Sequence, residues 1–132
     1  MSTRAKKSIE PSELELQVLG ILWEQGPRTA RQVLEGLQDG KPRAYTTILT
    51  VMQNMHRKEL ISRGQGESLA HVYKHAVTRK QVFKPFFSKL VTKAFGGNPS
   101  AVLQQLLELN TIDTEDLSQM KQMIENSQAK KQ

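Results

Sequence analysis

Thr46, Thr47 and Thr50, with Tyr45 just ahead of them and Asn54 and Arg57 beyond, lie in one stretch, KPRAYTTILTVMQNMHRK (residues 41–58), that holds four basic residues and no acid. Hydroxyls, an amide and guanidinium groups at such spacing break no bonds. They donate and accept hydrogen bonds, and the threonine methyls add apolar contact, which suits them to reading base edges in a DNA major groove. Thr47, Thr50, Asn54 and Arg57 fall at i, i+3, i+7 and i+10, one face of a helix. Ile48, Met52 and Met55, with Val51 beside them, fall on the opposite face and should look inward. Lys41 and Arg43 at one end, and Arg57 and Lys58 at the other, are placed to meet phosphates. The plainer reading is that the threonines only cap and fill a surface helix. The basic ends and the elements around them favour DNA contact.

Other chemistry finds little support. The chain has no cysteine, so disulfides, thiolate metal sites and thiol nucleophiles are excluded. His71 and His75 are four apart, but on a strand that spacing separates them by about 13 Å, too far for one ion. His56 has no acidic cluster beside it. No metal site and no cofactor are expected, and no G-x-S-x-G nucleophile motif or carboxylate pair points to an enzyme. The glycines of Gly64–Gly66 need only a turn to explain them. A net charge of +6 over 132 residues, split evenly between residues 1–77 and 78–132, implies an anionic partner without saying where it binds. The N-terminal MSTRAKKSIEPS lacks an apolar run of signal-peptide length, and no window approaches the ~20 apolar residues of a membrane span. A soluble, reducing, cytoplasmic setting fits best.

The elements that must position these residues are signalled locally. Ser12 with Glu15 forms an S-x-x-E capping box ahead of Leu14, Val18, Leu19 and Leu22. Gly26-Pro27 ends that helix. Thr29 with Gln32 opens a short second one carrying Val33, Leu34 and Leu37. The third is the basic stretch itself. LISRGQGESLAHVYKHAV then reads as two strands around a Gly-rich turn at Gln65–Ser68. Thr78 with Gln81 opens a further helix, which Pro85 should kink. Asn98 and Pro99 cap and start the next, a last helix begins near Asp113, and NSQAKKQ reads as a frayed tail.

Three short helices followed by a hairpin is the order of a winged helix-turn-helix, whose third helix lies in the major groove. The expected fold is therefore mainly α: three helices plus a β-hairpin wing, followed by a helical C-terminal dimerisation segment. Residues 1–10 read as a flexible N-terminal segment, 11–77 as the winged-helix DNA-binding domain, 78–126 as the dimerisation domain and 127–132 as the tail. Phe83, Phe86, Phe87 and Leu90, then Val102, Leu103, Leu106 and Leu107, then Leu117, Met120 and Ile124, load the C-terminal helices with apolar surface. A monomeric core could absorb some of it. Burying each Phe or Leu is worth ~1.5–3 kcal/mol, and a second copy is the simplest cover for the whole. On the wing, Arg63, His71 and Lys74 are placed either to reach phosphates or to serve as the solvated polar residues of an ordinary hairpin, and Arg28 and Arg31 at the start of the second helix belong in the same class, with Arg31 the better placed. A ligand pocket between the C-terminal helices has no polar constellation to mark it.

LELQVLGILWEQGPRTARQVLEGL, AYTTILTVMQNMHRKELISR and HVYKHAVTRKQ together resemble the penicillinase repressor family of bacterial transcription factors, which includes methicillin-resistance and copper-responsive repressors. Trp23, Gly26 and Pro27, the Thr29-Ala30 pair and Tyr45-Thr46-Thr47 carry the likeness. It implies a homodimeric transcriptional repressor on a dyad-symmetric DNA operator, and a membrane sensor or protease acting on the C-terminal segment as a further partner. Two departures stand out. The paired C-terminal cysteines of the copper-responsive members are absent, and Gln104-Gln105 stands where the antibiotic-responsive members have an Asn-Phe cleavage step. The reading from another class is an interaction adaptor that uses the winged helix as a scaffold without specific DNA binding. An RNA-binding reading is weaker, for want of an aromatic stacking platform.

Overall fold

The computed structural model describes residues 10–37, 39–65 and 70–131. Its elements run α1 (Glu13–Gln25), α2 (Ala30–Gly36), α3 (Tyr45–Arg57), β1 (Ile61–Gln65), β2 (His71–His75), α4 (Arg79–Lys89), a π-helical turn (Leu90–Ala94), α5 (Pro99–Leu107) and α6 (Thr114–Lys130). The element order is that of a winged helix-turn-helix followed by helices. The expected flexible segment 1–10 lies outside the described residues except for Glu10. The expected Gly-rich turn lies outside them except for the backbone of Gln65.

Helix starts follow the local signals. Ser12 Oγ accepts from the Glu15 N–H at 3.2 Å, and Glu15 Oε1 accepts from the Ser12 N–H at 3.0 Å. The same reciprocal pairing joins Thr29 to Gln32 and Thr78 to Gln81. Each satisfies two amide groups that a helix start otherwise leaves bare. Asn98 caps α5 with Pro99 behind it, and Asp113 with Asp116 forms a capping box on α6. Helix α6 continues to Lys130, through the residues that read as a frayed tail from 127. An i,i+4 bond from Gln122 Nε2 to Asn126 Oδ1, 3.3 Å, supports its last turns.

The chain divides into two compact units, Met1–Phe86 and Phe87–Gln132. In the first, Val18, Leu19 and Leu22 of α1, Val33 of α2, Ile48, Met52 and Met55 of α3, Ile61 of β1 and Tyr73 of β2 form one buried cluster. The two strands pair antiparallel, Ile61 opposite His75 and Gln65 opposite His71. The α1–α2 loop adds a one-residue bridge on the other side of β2, because Arg28 and Tyr73 exchange both backbone hydrogen bonds at 2.9 and 2.8 Å. The Trp23 indole N–H donates to the Val77 carbonyl at 3.0 Å and so ties the chain leaving the wing to α1. This unit reaches beyond residue 77 because Val82 is buried in it and Phe83 packs against it, its ring 6.0 Å from that of Trp23. Phe83, which the sequence assigns to an interface between copies, is half-covered in the single chain, packed against the core of the first unit. Trp23 offers it an aromatic partner, and partial cover, within its own chain.

In the second unit none of the described residues is buried. Leu90, Val102, Leu103 and Met120 are half-covered, whereas Phe87, Leu106, Leu107, Leu117 and Ile124 are exposed, as is Phe86 at the end of the first unit. Helix α4 passes through Pro85 and widens into the π turn at Leu90. There the Thr92 hydroxyl donates to the Ser88 carbonyl at 3.0 Å, taking up a group in the loosened ladder. Gly96 and Gly97 then turn the chain with φ of 60° and 80°, which side chains rarely adopt.

Candidate nucleic-acid interface

Helix α3 buries Ile48, Met52 and Met55 completely. That choice forces the opposite face outward. Thr46, Thr47, Thr50, Gln53 and Arg57 are all exposed on it. Gln53 was not singled out from the sequence, although it lies three residues after Thr50 and four before Arg57, in the same row. Its amide can pair with a base edge as well as a threonine can. Asn54 is half-covered, and its Oδ1 accepts from Arg57 Nη1 at 2.6 Å. The pair holds the Arg57 guanidinium against the last turn and occupies the Asn54 carbonyl oxygen.

The start of α3 is bare. Ala44 is its N-cap and no side chain caps it among the described residues. The first amides therefore keep the partial positive charge of a helix N-terminus. Beside them the Arg31 guanidinium carbon lies 4.6 Å from the centre of the Tyr45 ring. This cation–π contact between α2 and α3 sets Arg31 over the first turn, and its N–H groups meet no acceptor among the described residues.

Arg43 is placed differently from its sequence reading. Its Nη1 and Nη2 donate to Asp39 Oδ1 and Oδ2 at 2.8 and 2.6 Å, and its side chain is 14% exposed. Asp39 also accepts from Gln17 Nε2 at 3.0 Å and from the Lys41 N–H at 3.2 Å. The Arg43 fork, and then the Gln17 amide, hold the Asp39 carboxyl well below the usual carboxylate range. Asp39 holds Arg43 correspondingly more basic. A basic residue counted from the sequence as a phosphate ligand is thus engaged within the chain, by an acid four residues before it.

Arg28 is half-covered, with Nη1 donating back to the Pro27 carbonyl at 2.7 Å. On the wing, Arg63, His71 and Lys74 are exposed. The register sets Arg63 opposite Tyr73, so Arg63 and His71 share the sheet face of Tyr73, while Lys74, opposite Ser62, lies on the other. The three therefore do not form one patch. His75 Nδ1 lies 3.1 Å from the Val77 carbonyl, which can only accept, so that nitrogen bears the proton when the bond is made. No group of three or more possible metal-ligating side chains occurs among the described residues.

Residues 11–126 match the family model described as penicillinase repressor. The penicillinase repressor of Staphylococcus aureus is 19% identical over 91% of this chain and 94% of its own length. The methicillin resistance regulatory protein MecI of Staphylococcus aureus is 26% identical over 86% of this chain and 87% of its own. Among solved structures, the C30AH42A mutant of Lactococcus lactis ZitR covers 94% of this chain and 77% of its own at 16% identity, with a TM-score of 0.48.

Proposed function

Because the chain belongs to the penicillinase repressor family, we propose that this DNA-binding repressor acts as a homodimer on a dyad-symmetric operator, laying α3 of each copy in a major groove. The observation that carries the reading is the outward face of α3: Thr46, Thr47, Thr50 and Gln53 in a row without an acid, held out by a fully buried opposite face. These four side chains meet base edges. Arg31, Arg57, Arg63, His71 and Lys74 meet phosphates, which set position and orientation without reading sequence. Tyr45 carries Arg31, Asn54 carries Arg57, and neither reads a base itself.

Dimerisation is the natural use of the second unit. Phe87, Leu106, Leu107, Leu117 and Ile124 stay exposed in the single chain. Full burial of each is worth up to ~1.5–3 kcal/mol, and a second copy presenting the same face covers both sets at once. Two half-sites then follow the symmetry of the protein. The site of action is the cytoplasm. A sensor or protease that releases the repressor through α5 would meet exposed Gln104-Gln105.

The test is a salt series of binding to a pool of genomic DNA fragments, with the tightest fragments sequenced. A short inverted repeat, and a log–log salt slope reflecting several released counterions, is the expected result. Weak binding at every salt with no emerging motif would favour the adaptor reading instead.

A further inference from the structure

Residues 39–44 lead into α3 as a loop that is held, among the described residues, through Asp39. It contains Gly40 at φ 76° and Pro42, and it ends at an N-cap, Ala44, that offers no side-chain oxygen. What crosses it is the two-pronged contact of Arg43 with Asp39, at 2.8 and 2.6 Å, extended to α1 by the 3.0 Å bond from Gln17 Nε2. A single ion pair would fix a distance. Two parallel bonds from a planar guanidinium to a planar carboxylate fix rotation as well. The side chains are 14% and 20% exposed, so water competes weakly for them. Asp39 would otherwise be an uncompensated negative charge beside the helix that approaches DNA.

We propose that Arg43 and Asp39 are positioning residues for DNA recognition, in that Gln17, Asp39 and Arg43 together set where the first turn of α3 enters the groove while Arg43 is not itself a phosphate ligand, an inference that rests on α3 being the helix that reads DNA. The neutral pair adds no net charge to the interface. It transmits the position of α1 to the Thr46 and Thr47 turn. A phosphate ligand and a positioning fork respond in opposite ways to two conservative changes. Lysine keeps the charge of Arg43 but cannot form the fork. Asparagine keeps the shape of Asp39 but releases the guanidinium.

The experiment measures affinity for operator and for random DNA across a salt series, in the full chain and four variants, Arg43→Asp alone serving as the reference for the exchange. Arg43→Lys should lose operator affinity by about tenfold, the scale of one charge-assisted hydrogen bond, with binding to random DNA and the salt slope unchanged. Asp39→Asn should lose operator affinity similarly, while binding to random DNA holds or strengthens because a cation has been freed. The exchange Asp39→Arg with Arg43→Asp should bring operator affinity back to within about threefold of wild type. The inference is overturned if Arg43→Lys binds operator like wild type. It is equally overturned if Asp39→Asn tightens operator and random DNA together. An exchanged pair left as weak as Arg43→Asp alone, with the slope down by about one counterion, would mark Arg43 as a phosphate ligand. A wild-type chain that binds no fragment in a salt-dependent way overturns the DNA-binding reading itself, a separate outcome.

Discussion

Lys58 Nζ lies 2.8 Å from Glu15 Oε2, joining the end of α3 to the first turn of α1 across 43 residues of sequence. The other oxygen of the same carboxylate accepts from the Ser12 amide. One side chain, 7% exposed, therefore both caps α1 and anchors the helix that carries the threonine row.

Glu15→Ala should destabilise the protein by about 1–2 kcal/mol, from the lost cap and the lost charged hydrogen bond. Burial raises the Glu15 pKa, but the Lys58 ammonium and the Ser12 groups outweigh it and leave the value below the ordinary 4.5. A carboxylate with a depressed folded pKa contributes stability that is complete above its unfolded value and fades as pH falls through the folded one. The stability gap between wild type and Glu15→Gln, followed by urea unfolding, should hold from pH 7 to about pH 5 and shrink at lower pH. A gap that widens on acidification would contradict the pairing.

Thr47→Ala and Arg57→Ala should separate reading from holding. The first should lower discrimination between operator and random DNA, with nonspecific affinity kept. The second should weaken both about equally and reduce the salt slope by about one. Titrations at fixed salt, then across salt, make the comparison. Equal losses for both variants would count against the division.

Phe83 and Leu106 looked alike in the sequence as apolar helical residues, yet they should behave oppositely. Leu106→Glu should shift the chain toward monomer in sedimentation and cost operator affinity, while the far-UV signal of the winged helix persists. Phe83→Ala should leave the oligomeric state alone and lower the unfolding temperature, costing roughly 1–3 kcal/mol for a half-covered ring taken off Trp23.

Tyr73 is 1% exposed, and its hydroxyl has no hydrogen-bond partner among the described residues. Tyr73→Phe removes a buried polar group that is not satisfied, so stability should be unchanged or rise by up to about 1 kcal/mol. A loss above about 1 kcal/mol in urea unfolding would show that the hydroxyl does find a partner.

What the sequence determined by itself is what is encoded within one or two helical turns. Ser12 with Glu15, Thr29 with Gln32 and Thr78 with Gln81 sit three residues apart, so each cap closes through the local backbone alone. The apolar period of Ile48, Met52 and Met55 likewise dictated which face of α3 would be polar. The order of three helices and a hairpin followed from such signals. Only tertiary structure decided which charges and rings stay available to an outside partner. Trp23 meets Phe83, Lys58 meets Glu15, Arg28 bridges to Tyr73 and Gln17 reaches Asp39, all across separations that no local period records. Even Arg43 and Asp39, four residues apart, face each other because a loop folds them together, not because a helix does. A charge in a sequence carries its sign but not its partner. The partner depends on which distant backbone the buried core brings within about 3 Å.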